Sequence, residues 1–372
     1  MASRTSSVLQ LIFYLSVVCG LLLFFDFINT KDIIGVSTYN KAVNISSRLL
    51  SLYEKQEKER QRSLTQLTNF SFIYSYNEDQ LPEQSAFGTN FSNPEWPRSI
   101  CTDADVNRCG EKFKNVDTRY RVSEKYNTIS CIIQKNMSTM LQAIMCFLFD
   151  EDKFLASGRS LNMEAHEGRF CLNKNEFSTL KYMTKKFNVT MDILKTWKYL
   201  LIIRDPVDKF LSGFVDKCVR KTRTETYCNN CQSNLTCFVL TEYDRIMNSS
   251  YGRVSHTFED KHFFPQNWHC HFESELERYQ LIRYSNNPLH KESFIDNLVT
   301  ALKDSNVPES SLAYIKEQLV GGRTYHVTAD SEARAFYEKR LMSSPFLLEY
   351  VFRMYYWDYR LFGFELPIIN QE

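Results

Sequence analysis

The chain has 372 residues, 43% of them hydrophobic and 24% charged, an ordinary globular composition that excludes a disordered or collagen-like polymer. Lys plus Arg number 45 against 44 Asp plus Glu, so the charge balance excludes a purely electrostatic nucleic-acid binder and leaves room for a local anion-binding cleft.

Residues 1–7 read as a short cytoplasmic tail and 8–28 as a transmembrane signal anchor. From Val8 to Phe25 no charge interrupts the apolar run, which is near the minimum for crossing a bilayer. A cleaved signal peptide is the rival reading, but Val17, Val18 and Cys19 do not form an A-x-A-like cleavage site. Arg4 precedes the segment and Asp26 follows it, so the positive-inside bias keeps the short N-terminus cytoplasmic and the remainder lumenal. Sequons at Asn44, Asn69, Asn90, Asn188, Asn234 and Asn248 fit a lumenal chain, and every cysteine except Cys19 lies beyond the anchor. Cys218, Cys228, Cys231 and Cys237 form a cluster that reads either as zinc ligands or as disulfides. Disulfides of open pairing are expected, because no second ligand pair at finger spacing follows.

Residues 29–100 read as stem and linker. Glu54/Lys58 and Lys55/Glu59 have helical i,i+4 spacing on a polar stretch, and the Pro-, Asn- and Ser-rich run that follows lacks periodicity. The folded domain is expected over 101–372. Ile129–Ile133 is a short apolar strand; past the polar turn Gln134–Thr139, Leu141, Ile144, Met145 and Leu148 share a helix face. Strand, turn and helix N-terminus aim backbone N–H groups at one point, where Lys135, Asn136, Met137, Ser138 and Thr139 make an anion site; the alternative is a plain helix cap at Ser138 or Thr139 with a solvated Lys135. Asn136 opens a formal sequon, but a tight turn is a poor glycan site.

Tyr199–Ile203 is a second buried strand, and Pro206 opens a helix carrying Val207, Phe210, Leu211 and Phe214. Arg204 sits at the strand's carboxyl end and Ser212 on the helix can face the same crevice, the usual ligand position in open α/β sheets; an Arg204–Asp205 ion pair is the plainer reading. Near the C-terminus a Ser-Pro start and apolar Phe346, Leu347, Tyr350, Val351 and Met354 describe a helix whose aromatics belong to the core.

Gln134-Lys-Asn-Met-Ser-Thr139 after a strand resembles the 5′-phosphosulfate loop of Golgi carbohydrate sulfotransferases, and Arg204-Asp-Pro-Val-Asp-Lys-Phe-Leu-Ser212 resembles their 3′-phosphate motif, R-D-P-x-x-R-x-x-S. His262-Phe-Phe-Pro-Gln266 with Cys270 is similar to the H-x-x-P-Q…C segment of the chondroitin and dermatan group, and Tyr355 to Gly363 to its Y-x-x-D-x-x-L-F-G-F ending. Two positions depart: Gln134 replaces the usual proline, and Lys209 stands where arginine is common.

The resemblance implies an α/β, P-loop-like sulfotransferase fold with a mostly parallel sheet flanked by helices. It implies transfer of a sulfuryl group from 3′-phosphoadenosine 5′-phosphosulfate (PAPS), without a metal, to a chondroitin-like glycan or proteoglycan in the Golgi. Lys135 would offset charge on the leaving oxygen, Ser138 and Thr139 would hold the 5′-phosphate, and Arg204 and Ser212 the 3′-phosphate. A general base is also required. His262 is the first candidate by its motif and His166 the second, with His256, His269, His271, His290 and His326 as alternatives; Pro265 and Gln266 would shape the acceptor wall. Two rival classes stay open: a glycosyltransferase using Asp103-Ala-Asp105 or Asp150-Glu-Asp152 as a metal-binding D-x-D, and a non-catalytic lumenal glycan-binding relative.

Overall fold

The computed structural model describes residues 85–93, 96–164, 168–220, 227–250, 257–321 and 331–366. The anchor and most of the stem lie outside these residues. Among the described residues no helix is long and apolar enough to cross a membrane.

Five strands form one sheet in the order β3-β1-β2-β4-β5: β1 (Tyr120–Ser123), β2 (Thr128–Cys131), β3 (Glu176–Phe177), β4 (Lys198–Ile203) and β5 (Tyr279–Arg283). β2 pairs with β4, and β4 with β5, in parallel. β1 runs against both β2 and β3. The sheet is therefore mixed rather than mostly parallel. The cause is local: β1 and β2 are joined by a four-residue turn in which the Asn127 N–H donates to the Glu124 carbonyl at 3.1 Å, and so short a connection can only join antiparallel strands.

Both faces of the sheet are covered, which is why β4 reads as an unbroken apolar run. Leu200 and Ile202 face one core with Leu141, Ile144, Met145 and the helix Pro288–Lys303, while Tyr199, Leu201 and Ile203 face the other with Ile129, Met183, Phe272 and Phe362. We label the helices that bear on the site α1 (Ser138–Phe147), α2 (Pro206–Phe214) and α3 (Pro345–Phe362). α2 runs on into a π-helical stretch, Val215–Val219. α3 starts as its sequence predicts: the Ser344 side chain accepts from the Leu347 N–H and Pro345 takes the first turn. Its Phe346, Leu347, Val351 and Met354 are buried. Residues ahead of Cys101 also pack on it: the Ser85 and Thr89 hydroxyls each donate to Glu349 at 2.7 Å, and the Arg353 guanidinium lies 4.2 Å from the Phe87 ring centroid.

The ten cysteines beyond the anchor form five disulfides: Cys101–Cys109, Cys131–Cys270, Cys146–Cys171, Cys218–Cys228 and Cys231–Cys237. The Cys218–Cys237 cluster is thus two small disulfide loops and not a zinc site.

Candidate active site

β2 and β4 lie side by side and parallel, so the loops that leave their carboxyl ends start from the same edge of the sheet. After β2 the chain turns through Lys135 and Met137 at φ 68° and 55°, left-handed values, and α1 begins at Ser138. Met137 occupies the cap position and makes no side-chain capping bond. The hydroxyls of Ser138 and Thr139 therefore do not cap, and they have no hydrogen-bond partner among the described residues. Gln134 anchors the base of the turn, its Nε2 donating to Asp117 Oδ2 at 3.0 Å. Asn136 is buried, which removes it as a glycan site; its Nδ2 donates to the Ile202 carbonyl at 2.9 Å and to Gln266 Oε1 at 2.5 Å, and its Oδ1 is without a partner.

After β4, Asp205 caps α2, accepting from the Asp208 N–H at 2.8 Å, with Pro206 at the first helical position. The partner of Arg204 is consequently Asp208 and not Asp205. Arg204 Nε donates to Asp208 Oδ2 at 2.5 Å, Nη1 donates to the Lys135 carbonyl at 2.6 Å, and the guanidinium stacks 4.9 Å from the Tyr284 ring centroid. Arg334 Nη2 meets the other Asp208 oxygen at 2.8 Å. Ser212 is buried one turn beyond Asp208, and its hydroxyl has no partner among the described residues.

A third acid follows at the same interval of four. Asp216, in the π-helical stretch, accepts from Lys135 Nζ and also from Lys217 Nζ at 3.1 Å. Burial pushes the Lys135 ammonium down to about 8, against the upward pull of Asp216. The spacing Asp208, Ser212, Asp216 was the available signal for this acid, and it extends past the resemblance motif, which ends at Ser212. Lys217 is the next residue in the chain, and no spacing marks it as a second partner of this acid.

His262 reaches the same place from the opposite side. It is 8% exposed, and burial, with the Lys135 and Lys217 charges added, holds its imidazole well below the ordinary value. Its Nδ1 lies 3.0 Å from the Phe258 carbonyl, which can only accept. The neutral ring therefore carries its proton on Nδ1, and Nε2 keeps its lone pair with no partner among the described residues. His269 is buried with Nδ1 2.7 Å from the Asp117 carbonyl, His271 sits 3.1 Å from Asn115, and His290 is exposed on the helix Pro288–Lys303. His166, His256 and His326 lie outside the described residues.

The segment carrying His262 is clamped, and Gln266 is the clamp. Gln266 Oε1 accepts from Asn136 and from the Arg204 N–H at 2.9 Å, and its Nε2 donates to the Arg204 carbonyl at 2.8 Å, so one side chain joins the two strand-end loops. Asp358 of α3 in turn accepts from the backbone N–H groups of Gln266 at 2.7 Å and Asn267 at 2.8 Å. Lys209, where arginine is common, does not face the crevice: fully buried, it donates to the carbonyls of His262 at 3.2 Å and Phe264 at 2.8 Å. The Tyr355 hydroxyl donates to the Phe263 carbonyl at 2.5 Å. Gly213 is required here, since a Cβ would stand 2.7 Å from the Phe263 ring. Gln266 therefore ties the crevice together from within, where sequence reasoning made it part of the acceptor wall.

Neither acidic tripeptide assembles a metal site. Asp105 accepts from the Cys101 N–H and from Arg353 Nη1, both at 2.8 Å, and Asp150 caps the helix Glu151–Ala156. Among the described residues one group of metal-ligand side chains converges, Cys101, Asp105 and Cys109, and its two sulfurs are joined as a disulfide.

The cations Lys135 and Arg204, an acid between two lysines, three hydroxyls without partners among the described residues and a neutral imidazole thus share the carboxyl edge of a central α/β sheet. Residues 118–365 match the model of the sulfotransferase family, and the chain belongs to that family. Among its relatives in Caenorhabditis elegans, an uncharacterized protein is 38% identical over 273 residues, 73% of this chain and 75% of its own length. The putative sulfotransferase vep-2 is 41% identical over 235 residues, covering 62% and 72% of the two chains. The carbohydrate sulfotransferase chst-1 is 35% identical over 263 residues, covering 69% and 79%. No solved structure matches the chain.

Proposed function

We propose that this protein transfers a sulfuryl group from PAPS to a hydroxyl of a glycan of chondroitin-like chemistry, as a single-pass type II protein of the Golgi membrane with its catalytic domain in the lumen. The observation that carries the reaction is the set of hydroxyls without partners among the described residues, Ser138, Thr139 and Ser212, beside the two cations Lys135 and Arg204. Such a set fits a ligand with two separated phosphates better than it fits a folded core.

Bound PAPS supplies the activated sulfuryl group. Ser138, Thr139 and the N–H groups at the start of α1 hold its 5′-phosphate, and Arg204 and Ser212 hold the 3′-phosphate. Lys135 offsets the charge that grows on the leaving oxygen as the sulfur–oxygen bond breaks. His262 Nε2, free and unprotonated, takes the proton from the acceptor hydroxyl as it attacks. The clamp formed by Gln266 and Asp358 keeps these groups in register, which is where positioned reactants gain most of their rate. The name of chst-1 supports the glycan acceptor. The charge-free run from Val8 to Phe25, the sequons and the five disulfides support the lumenal, membrane-anchored location.

The test is incubation of the full chain with radiolabelled PAPS and a glycan panel in the presence of EDTA, beside Lys135→Ala and Arg204→Ala. Label entering one glycan class and lost in both variants is the expected result; transfer that both variants retain would overturn the assignment.

A further inference from the structure

Phe258 is 61% exposed, and it stands beside the buried imidazole of His262 with ring centroids 5.0 Å apart in an edge-to-face arrangement. Single apolar side chains on a surface are common and need no explanation. This one differs in how it is held. Its turn is pinned on both sides: the Thr257 N–H donates to Asp260 Oδ2 at 2.6 Å, the Asp260 N–H donates back to the Thr257 hydroxyl at 3.2 Å, and Arg245 Nε donates to Asp260 Oδ1 at 2.8 Å. Lys217 Nζ lies 5.4 Å from the ring centroid. Phe258 also supplies, through its carbonyl, the bond that fixes the His262 tautomer. A hydrogen-bonded turn and an ion pair thus fix an apolar ring in water beside the imidazole proposed to take the acceptor's proton.

We propose that Phe258 is the platform on which the acceptor sugar stacks, a part of the acceptor site that none of the sequence motifs contains. This rests on the sulfotransferase reading and on His262 as its base. An acceptor hydroxyl within hydrogen-bond reach of His262 Nε2, about 2.6–3.2 Å, brings the rest of its sugar ring against the neighbouring Phe258 ring. The C–H face of a sugar is apolar while its rim is polar, so an exposed aromatic ring binds the face and leaves the hydroxyls to polar groups. The ligand class is therefore a pyranose with an accessible C–H face, presented as part of a glycan chain.

The experiment measures initial rates of the full chain with radiolabelled PAPS and chondroitin hexasaccharide, for the parent protein and for Phe258→Ala, Phe258→Trp and Leu289→Ala. Leu289, exposed on the helix Pro288–Lys303, controls for loss of a surface apolar side chain. Phe258→Ala is expected to raise KM for the hexasaccharide about tenfold, the order of one lost aromatic contact. Its kcat and its KM for PAPS change by less than about threefold, and Phe258→Trp recovers most of the acceptor affinity. An unchanged acceptor KM in Phe258→Ala, an equal loss in Leu289→Ala, or a defect confined to kcat would overturn the platform while leaving the sulfotransferase reading intact. A parent protein that labels no glycan at all overturns the reading and the platform together.

Discussion

At the scale of single residues, the proposed chemistry turns on two groups that burial shifts in the same direction, against the task of one and in favour of the other. Lys135 must be charged to offset a leaving oxygen, yet burial brings its ammonium down to about 8. His262 must be neutral to accept a proton, and burial with two neighbouring lysines keeps it so well below its ordinary value. For the free enzyme, kcat/KM for PAPS therefore needs Lys135 protonated and His262 unprotonated. It falls as pH rises through about 8, and on the acid side it holds to well below the ordinary imidazole value. Asp216 is the anion that opposes burial at Lys135, while Lys217 and Arg204 push the other way. Asp216→Asn is expected to move the alkaline limb to lower pH by about one pH unit or more, a result read directly from the pH profile, and any shift of the acid limb is also downward because Asp216 raises the His262 imidazole as well. An unmoved alkaline limb would mean that Lys135 does not govern it.

At the scale of elements, the strand-end loops are held by parts of the chain far away in sequence. Asp358→Asn keeps the shape of α3 but turns one of two accepting oxygens into a donor that faces the N–H groups of Gln266 and Asn267. We expect a loss of about 2–3 kcal/mol in thermal or denaturant unfolding, together with weaker binding of 3′,5′-ADP, because Gln266 joins both loops. Cys131–Cys270 closes 139 residues, from the end of β2 to the clamped segment. Replacing both cysteines by alanine is expected to cost about 4–5 kcal/mol and to lower Tm by on the order of 10 °C by calorimetry. Gly213→Ala, placed against the Phe263 ring, is expected to depress kcat in initial-rate assays, since it presses on the segment that carries His262.

At the scale of the whole molecule, the legible parts of the sequence were those governed by neighbours in the chain. The two strand–turn–helix units, the cap at Ser344 and the core of α3 follow from apolar period, Pro at the first turn and short polar caps. The reversed strand β1 carries little sequence signal, because Tyr120 and Val122 alternate over only four residues, too short a pattern to stand out. The roles of Gln266, Asp358 and Lys209 were not legible, since each bonds to partners brought close only by the fold and a buried Gln or Lys carries no local period. Motif resemblance located these residues without saying what they hold. The same scale carries the topological prediction: in sealed microsomes a C-terminal tag should be protected from added protease, and the chain should gain mobility on deglycosylation. Digestion of the tag without detergent would reverse the orientation.

The proposed reaction places its nucleotide at the edge of the sheet where β2 and β4 end. Calorimetric titration of the full chain with 3′,5′-ADP tests that most directly. The prediction is binding at one site per chain, weakened at least tenfold by Arg204→Ala and also by Ser212→Ala, the order of a lost hydrogen bond to a charged group. No binding by the parent protein, or equal affinity in both variants, would contradict it.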